Sequence, residues 1–352
     1  MALSTKKRIA RILSLGSLVV GIACAVIYVP WTGLWLWVQP LPDTVAEQVA
    51  DATDFGMDGI IVYVDRGGQP PAYYAAGVSD RDSQAPLDPH GLFKIASISK
   101  LYIAAAATKL VVADQLSLDA TLAELLPDLR ERIAHADAIT VRMLLQHRSG
   151  IPDLIWDADF PWHQPYTDNR QTLELVLDEP ADFAPDSDWA YSNTNYLLLG
   201  EIMDDALGYD HQRYIRERLL APLGLEHTYG RMDDVDPATI AQGYDTHYEG
   251  GVRHLNFTFP GSSMVATAQD VGRFLRALHD GSLLSEEEQS VYRSVYVFEH
   301  TGLIPGYYSI ARYHADIDTV VIQFVNTTGG ESLSVADNLY NRIVRILRRP
   351  ES

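Results

Sequence analysis

The chain has 352 residues, of which 47% are hydrophobic and 21% are charged. This length and composition suit one large domain or two lobes around a shared cleft, and they exclude a disordered chain. The formal net charge is −20, and an acidic surface repels phosphate groups, so no nucleic acid partner is expected. The only cysteine, Cys24, excludes an intrachain disulfide, a cysteine-rich zinc site and a cysteine nucleophile in the body.

The N-terminal region has the composition of a membrane anchor. Residues 12–38 carry no charged side chain, and the stretch 12–29 would rise about 27 Å as a helix, close to a bilayer core of about 30 Å. Basic residues precede this stretch, and acidic residues follow it. The pattern predicts a cytoplasmic tail over 1–11, a single transmembrane helix over 12–38 that contacts the lipid bilayer, and an extracytoplasmic body, periplasmic in a bacterium. Three tryptophans would form an outer aromatic belt: Trp31, Trp35 and Trp37.

A cleaved signal sequence is the alternative to a retained anchor. Ala23, Cys24 and Ala25 provide the small residues of a cleavage site, and a lipoprotein signal could end at Cys24. Either cut would leave an apolar run at the new N-terminus, so the retained anchor is the favoured interpretation.

The body begins and ends with predicted β-hairpins. Residues 59–65 and 72–78 are rich in β-forming side chains and bracket a turn that contains glycine and proline. Residues 307–314 and 319–326 bracket a second short connection, and a last helix fits 334–348.

The region between the hairpins is mostly helical. Thr267 stands three residues before Asp270, which is typical of a capped helix start, and Gly281 suits the helix end. The predicted helices in this region cover residues 98–113, 140–147, 194–207, 210–220 and 268–280.

This order of elements predicts an α+β fold. An antiparallel sheet is completed by N- and C-terminal segments and flanked by helices, and a helical lobe is inserted beside it. The domain is expected over 43–348, with the sheet lobe over about 43–96 and 300–348 and the helical lobe over about 111–254.

A Ser-x-x-Lys pattern lies where the first long helix of the body is predicted to begin. Ser97 and Lys100 are three residues apart, so on a helix their side chains share one face. The helix N-terminus favours the anion that develops on an attacked carbonyl, and a nearby amine is a candidate base for the hydroxyl. The tetrapeptide is unspecific by itself, because Ser4 and Lys7 repeat it in the basic tail.

Two further motifs follow in chain order. They are Tyr191-Ser192-Asn193, the only Tyr-x-Asn of the chain, and His300-Thr301-Gly302, the only His-Thr-Gly. Together with 93–100, these motifs resemble those of the penicillin-recognising serine hydrolases: class C β-lactamases, D-alanyl-D-alanine carboxypeptidases and related esterases and aminopeptidases. The resemblance covers roughly 43–348 and implies a β-lactamase/transpeptidase-like fold.

The resemblance also implies the catalytic roles. Ser97 would attack the substrate carbonyl, and Lys100 would lie beside it as a proton shuttle. Tyr191 would be the general base for acylation, deacylation or both. The sequence leaves open whether Lys100 or Tyr191 takes the first proton.

By the same resemblance, a second set of residues would bind the substrate. Asn193 would bond the acyl-side amide, and His300, Thr301 and Gly302 would form an edge strand along which an extended substrate lies. Gly302 would allow close approach of the backbone to the ligand. The oxyanion hole would consist of the backbone N–H groups of Ser97 and Leu303.

One departure from the β-lactamases narrows the expected activity. They generally have lysine at the position of His300, where a fixed cation pairs with the carboxylate of the antibiotic, whereas histidine is only fractionally charged near neutral pH. A D-alanyl carboxypeptidase, a D-aminopeptidase or an esterase is therefore expected rather than a penicillinase.

No cofactor or metal is expected. The sequence has no His-Glu-x-x-His, no Gly-x-Ser-x-Gly and no phosphate-binding glycine loop. The predicted partner is a small-molecule or peptide substrate with a carbonyl to be attacked. The alternative function is a peptidoglycan or β-lactam sensor that binds in the same cleft without turnover.

Overall fold

The computed structural model describes residues 29–350 and the isolated positions 13, 14, 17 and 20. The helices within these residues are α1 (Trp31–Val38), α2 (Val45–Ala50), α3 (Ser99–Val112), α4 (Leu122–Leu125), α5 (Val141–Leu145), α6 (Asn169–Leu173), α7 (Asn193–Leu207), α8 (His211–Ile215), α9 (Ala268–Asp280), α10 (Glu286–Val295) and α11 (Ser332–Leu347). The strands are β1 (Gly59–Arg66), β2 (Ala72–Gly77), β3 (Phe93–Lys94), β4 (Thr228–Tyr229), β5 (Tyr244–Asp245), β6 (Val265–Ala266), β7 (His300–Ile304), β8 (Tyr307–His314), β9 (Thr319–Val325) and β10 (Thr327–Thr328).

The central sheet has the order β2-β1-β9-β8-β7, and each neighbouring pair is antiparallel. Its N-terminal hairpin therefore pairs with its C-terminal strands, as the sequence predicts. Alternation along β1 directs Ile60 and Val62 into one core, which α2 and α11 cover, and Ile61 and Tyr63 into the other, which includes residues of α3 and α9. Both faces of the sheet are thus buried, and the predicted α+β fold is confirmed.

The predicted caps of α9 are present in the structure. The hydroxyl of Thr267 accepts a hydrogen bond from the backbone N–H of Asp270 at 3.2 Å, and Gly281 ends the helix with φ = +84°. The structure differs from the prediction over residues 210–220, where a single helix was expected. Its α-helical part ends at Ile215, and a π-helical turn over Arg216–Leu220 follows.

The membrane localisation predicted from residues 12–38 is wrong. Within the part of the chain that the structure describes, no helix combines the length and the apolar character needed to cross a bilayer. The tail 1–11 lies outside the described residues, as does the segment 12–28 except at positions 13, 14, 17 and 20.

The end of that predicted anchor is the short helix α1, which packs on the body. Leu36 is buried in the same core as α11. The guanidinium of Arg342 donates hydrogen bonds to the backbone oxygens of Leu36, Gln39 and Pro40. The tryptophan-containing segment is therefore held by polar contacts to the C-terminal helix, which hydropathy cannot reveal.

The two lobes meet at the start of α3. A turn of 3-10 helix, Ala96–Ile98, leads into α3, and the edge strand β7 lies against this turn. In the helical lobe, α7 packs against both α3 and α5. The cleft between the edge strand and the helical lobe holds the residues described next.

Candidate active site

Ser97 lies in a rigid turn at the N-terminus of a buried helix. Ala96, which precedes it, is fully buried and has φ = +46°, a left-handed conformation that a non-glycine residue adopts at a cost. The adjacent strand β7 approaches very closely at Gly302, where a Cβ would lie 2.1 Å from the carbonyl oxygen of Ile95. The glycine therefore permits contact between strand and turn, so the close approach predicted at this residue is to a second backbone segment.

Lys100 is fully buried behind Ser97 and has three hydrogen-bond partners. Its Nζ lies 3.1 Å from the Ser97 hydroxyl, 2.8 Å from Oδ1 of Asn193 and 3.0 Å from the carbonyl oxygen of Gly261. Burial lowers the pKa of Lys100 to about 7, and the charge of Asp153 partly opposes this effect. A large fraction of the amine is thus neutral near pH 7 and is able to accept a proton.

Tyr191 reaches the same hydroxyl from the helical lobe. Its phenol donates a hydrogen bond to Oγ of Ser97 at 2.9 Å. Burial raises the pKa of Tyr191 above its ordinary value, so the phenol is protonated at neutral pH. Its ring stacks on the imidazole of His147 with centroids 4.5 Å apart, and Nδ1 of His147 accepts a hydrogen bond from the backbone N–H of Ser192. His147 therefore contacts both the ring and the backbone of the Tyr-x-Asn motif.

Asn193 links Lys100 to a buried carboxylate. Its Oδ1 faces Lys100, and its Nδ2 donates to both oxygens of Asp153, at 3.2 and 3.0 Å. The backbone N–H of Asn193 donates to the same carboxylate at 2.9 Å. Burial raises the pKa of Asp153. Sequence reasoning missed Asp153, because a single aspartate after a proline carries no motif that distinguishes it from the other acidic residues.

The His-Thr-Gly motif occupies the edge strand as predicted. His300, Thr301 and Leu303 line the same cavity as Ser97. Nδ1 of His300 contacts the carbonyl oxygen of Thr301. Burial, assisted by the charge of Lys100, lowers the pKa of His300 to about 4, so its imidazole is neutral at pH 7.

These residues surround a cavity of about 270 Å³. Asn193 and Ser262 also line it, together with a larger set of apolar residues: Ile155, Phe160, Trp162, Phe257, Phe259 and Ile304. The cavity thus combines a polar floor at the serine with a mainly apolar wall, as is usual for a site that binds a small organic ligand.

One group of side chains in the described part of the chain has the composition of a metal site. It consists of Asp204, Asp210 and His211, none of which lines the Ser97 cavity. Nδ1 of His211 already contacts Asp204 at 2.8 Å, and the carboxylate of Asp210 accepts a hydrogen bond from the backbone N–H of Gln212. These contacts organise the start of α8.

A serine at the head of a buried helix, beside the edge strand of an antiparallel sheet, defines the β-lactamase class of fold. The chain belongs to this family, because the family model described as "Beta-lactamase" matches residues 43–297. The resemblance stated from the three motifs is therefore confirmed.

Individual relatives share a quarter to a third of their residues with this chain over the matched region. Penicillin-binding protein 4* of Bacillus subtilis is 25% identical over 234 residues, which cover 61% of this chain and 51% of the relative. Esterase EstB of Burkholderia gladioli is 30% identical over 186 residues, which cover 47% of this chain and 45% of the relative. The chain spans about half the length of these curated relatives.

Solved structures agree on the fold. A D-amino acid amidase from Ochrobactrum anthropi SV3, in complex with L-phenylalanine amide, superposes with a TM-score of 0.77 at 23% identity. The match covers 86% of this chain and 97% of the amidase. At this identity the similarity concerns the architecture only.

Proposed function

We propose that the protein is a serine hydrolase that cleaves an ester or amide through an acyl-enzyme on Ser97. One observation carries the proposal: the Ser97 hydroxyl lies within hydrogen-bond distance of both a buried amine and a half-buried phenol, Lys100 at 3.1 Å and Tyr191 at 2.9 Å. A hydroxyl is a weak nucleophile until a base removes its proton, and this geometry supplies one.

In the acylation step, Oγ of Ser97 bonds to the substrate carbonyl carbon while its proton passes to Nζ of Lys100. The lowered pKa of Lys100 makes the neutral amine available for this role, whereas the raised pKa of Tyr191 keeps the phenol protonated. The backbone N–H groups of Ser97 and Leu303 stabilise the oxyanion, at about 3 to 4 kcal/mol per donor in comparable sites.

The tetrahedral intermediate then expels the leaving group. The bond from the carbonyl carbon to the leaving oxygen or nitrogen breaks, and the leaving atom takes the proton of the Tyr191 hydroxyl. The ammonium of Lys100 then returns its proton to the Tyr191 phenolate, so one proton moves from serine to leaving group overall. A water molecule attacks the acyl-enzyme with the same groups in reverse, which releases the acid and restores the Ser97 hydroxyl.

The proposal is tested with a chromogenic ester and a fluorescent fluorophosphonate. The wild type should cleave the ester and be labelled, and Ser97→Ala should do neither. Ser83→Ala, which changes an exposed serine, is the matched control and should behave as the wild type. Ester cleavage by Ser97→Ala at the wild-type rate would refute the proposal.

A second experiment on the wild-type protein distinguishes hydrolysis from stable binding. Turnover predicts that a labelled penicillin, if it reacts with Ser97, is released while ester cleavage continues. A label that persists on Ser97, with a single equivalent of ester cleaved per protein, would identify the non-turnover sensor instead.

A further inference from the structure

The wall of the Ser97 cavity contains an aromatic cluster that the proposed chemistry does not use. Two loops contribute Phe160, Trp162, Phe257 and Phe259. The rings of Phe160 and Trp162 have centroids 4.6 Å apart, and Phe160 lies parallel to Phe257 at 6.4 Å. Rings so arranged present a continuous apolar surface to whatever group is attached to the serine.

Hydrogen bonds hold this wall in place. The buried amine of Lys94 donates to the carbonyl oxygens of Arg253 and Leu255, at 2.7 and 2.6 Å, just before the two phenylalanines of that loop. The hydroxyl of Thr258, between the two phenylalanines, approaches the carbonyl oxygen of Thr167 at 3.3 Å, and Tyr248 donates to the carbonyl of Trp162 at 3.1 Å. The pocket is therefore pre-formed, which lowers the cost of ordering it on binding.

The cavity has no cation for an anionic substrate group. No lysine or arginine lines it in the described part of the chain. Lys100 stands behind Ser97 with three acceptors around it, and the imidazole of His300 is half-buried against the carbonyl of Thr301. A carboxylate placed against the aromatic wall would lose its hydration without gaining a charged partner.

The volume of the cavity limits the group that fits. A closed cavity of about 150 Å³ holds one benzene molecule, and this one measures about 270 Å³. It therefore has room for a phenyl ring and a short aliphatic chain that leads to the carbonyl at Ser97.

We infer that the cleft selects esters and amides whose acyl group is neutral and ends in an aromatic ring, and that it rejects acyl groups with a free carboxylate. The inference rests on the proposed function, because it concerns the group that Ser97 carries in the acyl-enzyme. It narrows the substrate class from any ester or amide to those with a neutral, aromatic acyl group.

The test compares 4-nitrophenyl esters that share one leaving group. The 3-phenylpropanoate should have a kcat/KM about 50-fold above that of the acetate, because a phenyl ring leaves water on binding. The mono-ester of adipic acid should be cleaved at least about 10-fold less efficiently than its methyl-capped counterpart, which has nearly the same shape without the charge.

A positive charge introduced into the aromatic wall should change this ranking of the esters by kcat/KM. Phe257→Arg should raise the ratio of free-acid to methyl-capped adipate kcat/KM by about 10-fold or more, because it supplies the missing cation. Tyr209→Arg is the matched control, since Tyr209 is exposed and lies outside the Ser97 cavity; its ratio should remain that of the wild type. Phe257→Leu, which keeps an apolar side chain, should reduce the preference for 3-phenylpropanoate several-fold.

The outcomes separate the inference from the proposed function. Wild-type protein that cleaves all the esters through Ser97 but treats acetate and 3-phenylpropanoate alike, or prefers the free acid, would overturn the inference alone. Cleavage that survives Ser97→Ala, or no cleavage and no fluorophosphonate labelling by the wild type, would overturn the proposed function and the inference with it.

Discussion

The buried carboxylate of Asp153 should set the pH at which the serine becomes reactive. It acts on Lys100 through the side-chain amide of Asn193, which contacts both groups. The negative charge favours the ammonium form of Lys100, so its removal should lower the pKa of the amine further. Asp153→Asn is the appropriate change, because asparagine keeps the size of the side chain and an oxygen that can accept from Asn193.

The size of this shift in the pKa of Lys100 follows from the distance between its amine and the carboxylate of Asp153. Two hydrogen bonds through one amide place the amine and the carboxylate about 6 Å apart. At an effective dielectric constant of about 20, their attraction is about 3 kcal/mol, a factor of about 100 in the proton affinity of the amine. If neutral Lys100 is the base, kcat/KM of the wild type rises with pH and levels off above about pH 7. In Asp153→Asn the midpoint of this rise should move toward pH 5.

The assay is kcat/KM for 4-nitrophenyl 3-phenylpropanoate between pH 4.5 and 9 at constant ionic strength. Activity at pH 8 after incubation at each pH reports whether the protein has survived. Asp159→Asn, which neutralises an exposed carboxylate on the same loop, is the control and should leave the midpoint near that of the wild type. The small effect is expected because solvent screens exposed charges.

Two results would refute this reasoning. A midpoint that does not move in Asp153→Asn, with the plateau intact, would mean that the carboxylate has no electrostatic influence on Lys100. A wild-type rise that begins only above about pH 9 would assign the base role to the phenol of Tyr191, whose pKa burial raises.

Three further substitutions test the geometry. Tyr191→Phe keeps the ring and removes the hydroxyl that donates to Ser97, so kcat/KM should fall by about 100-fold or more; an unchanged rate would leave proton transfer to Lys100 alone. Gly302→Ala would place a Cβ 2.1 Å from a carbonyl oxygen, so β7 would have to shift. This shift should lower kcat/KM by about 100-fold, and it should lower the free energy of unfolding, measured with urea, by about 1–3 kcal/mol. Arg342→Met should lower the free energy of unfolding by about 3 kcal/mol, because it leaves several carbonyl oxygens without their charged donor. The kcat/KM per folded protein should be unchanged. An equally large loss of stability in Arg345→Met, which changes an exposed arginine of the same helix, would contradict this explanation.

The N-terminal segment illustrates what hydropathy cannot resolve. An uncharged run predicts a membrane span from composition alone, and residues 31–38 were part of that prediction. In the structure these residues form α1, in which Leu36 packs into the core and Arg342 bonds the backbone that follows. A contact between residues about 300 positions apart has no signature in the local composition.

Residues outside the motifs escaped prediction for a similar reason. Asp153 and the aromatic residues of the cavity wall lie on irregular loops, where no periodicity relates a residue to a direction in space. The stacking of His147 on Tyr191 depends on a neighbour 44 positions away that only folding brings near. The neutral state of His300 likewise results from burial.

By itself, the sequence determined those features that arise within a few residues of one another. The hairpins, the capped helix α9 and the shared face of Ser97 and Lys100 follow from strand alternation, from capping side chains and from the helical repeat, all of which are local. The tertiary structure alone decided what surrounds the serine: the reach of Tyr191, the carboxylate behind Lys100 and the aromatic wall. These depend on how distant segments pack, and burial in that packing is what changes the pKa values on which the chemistry depends.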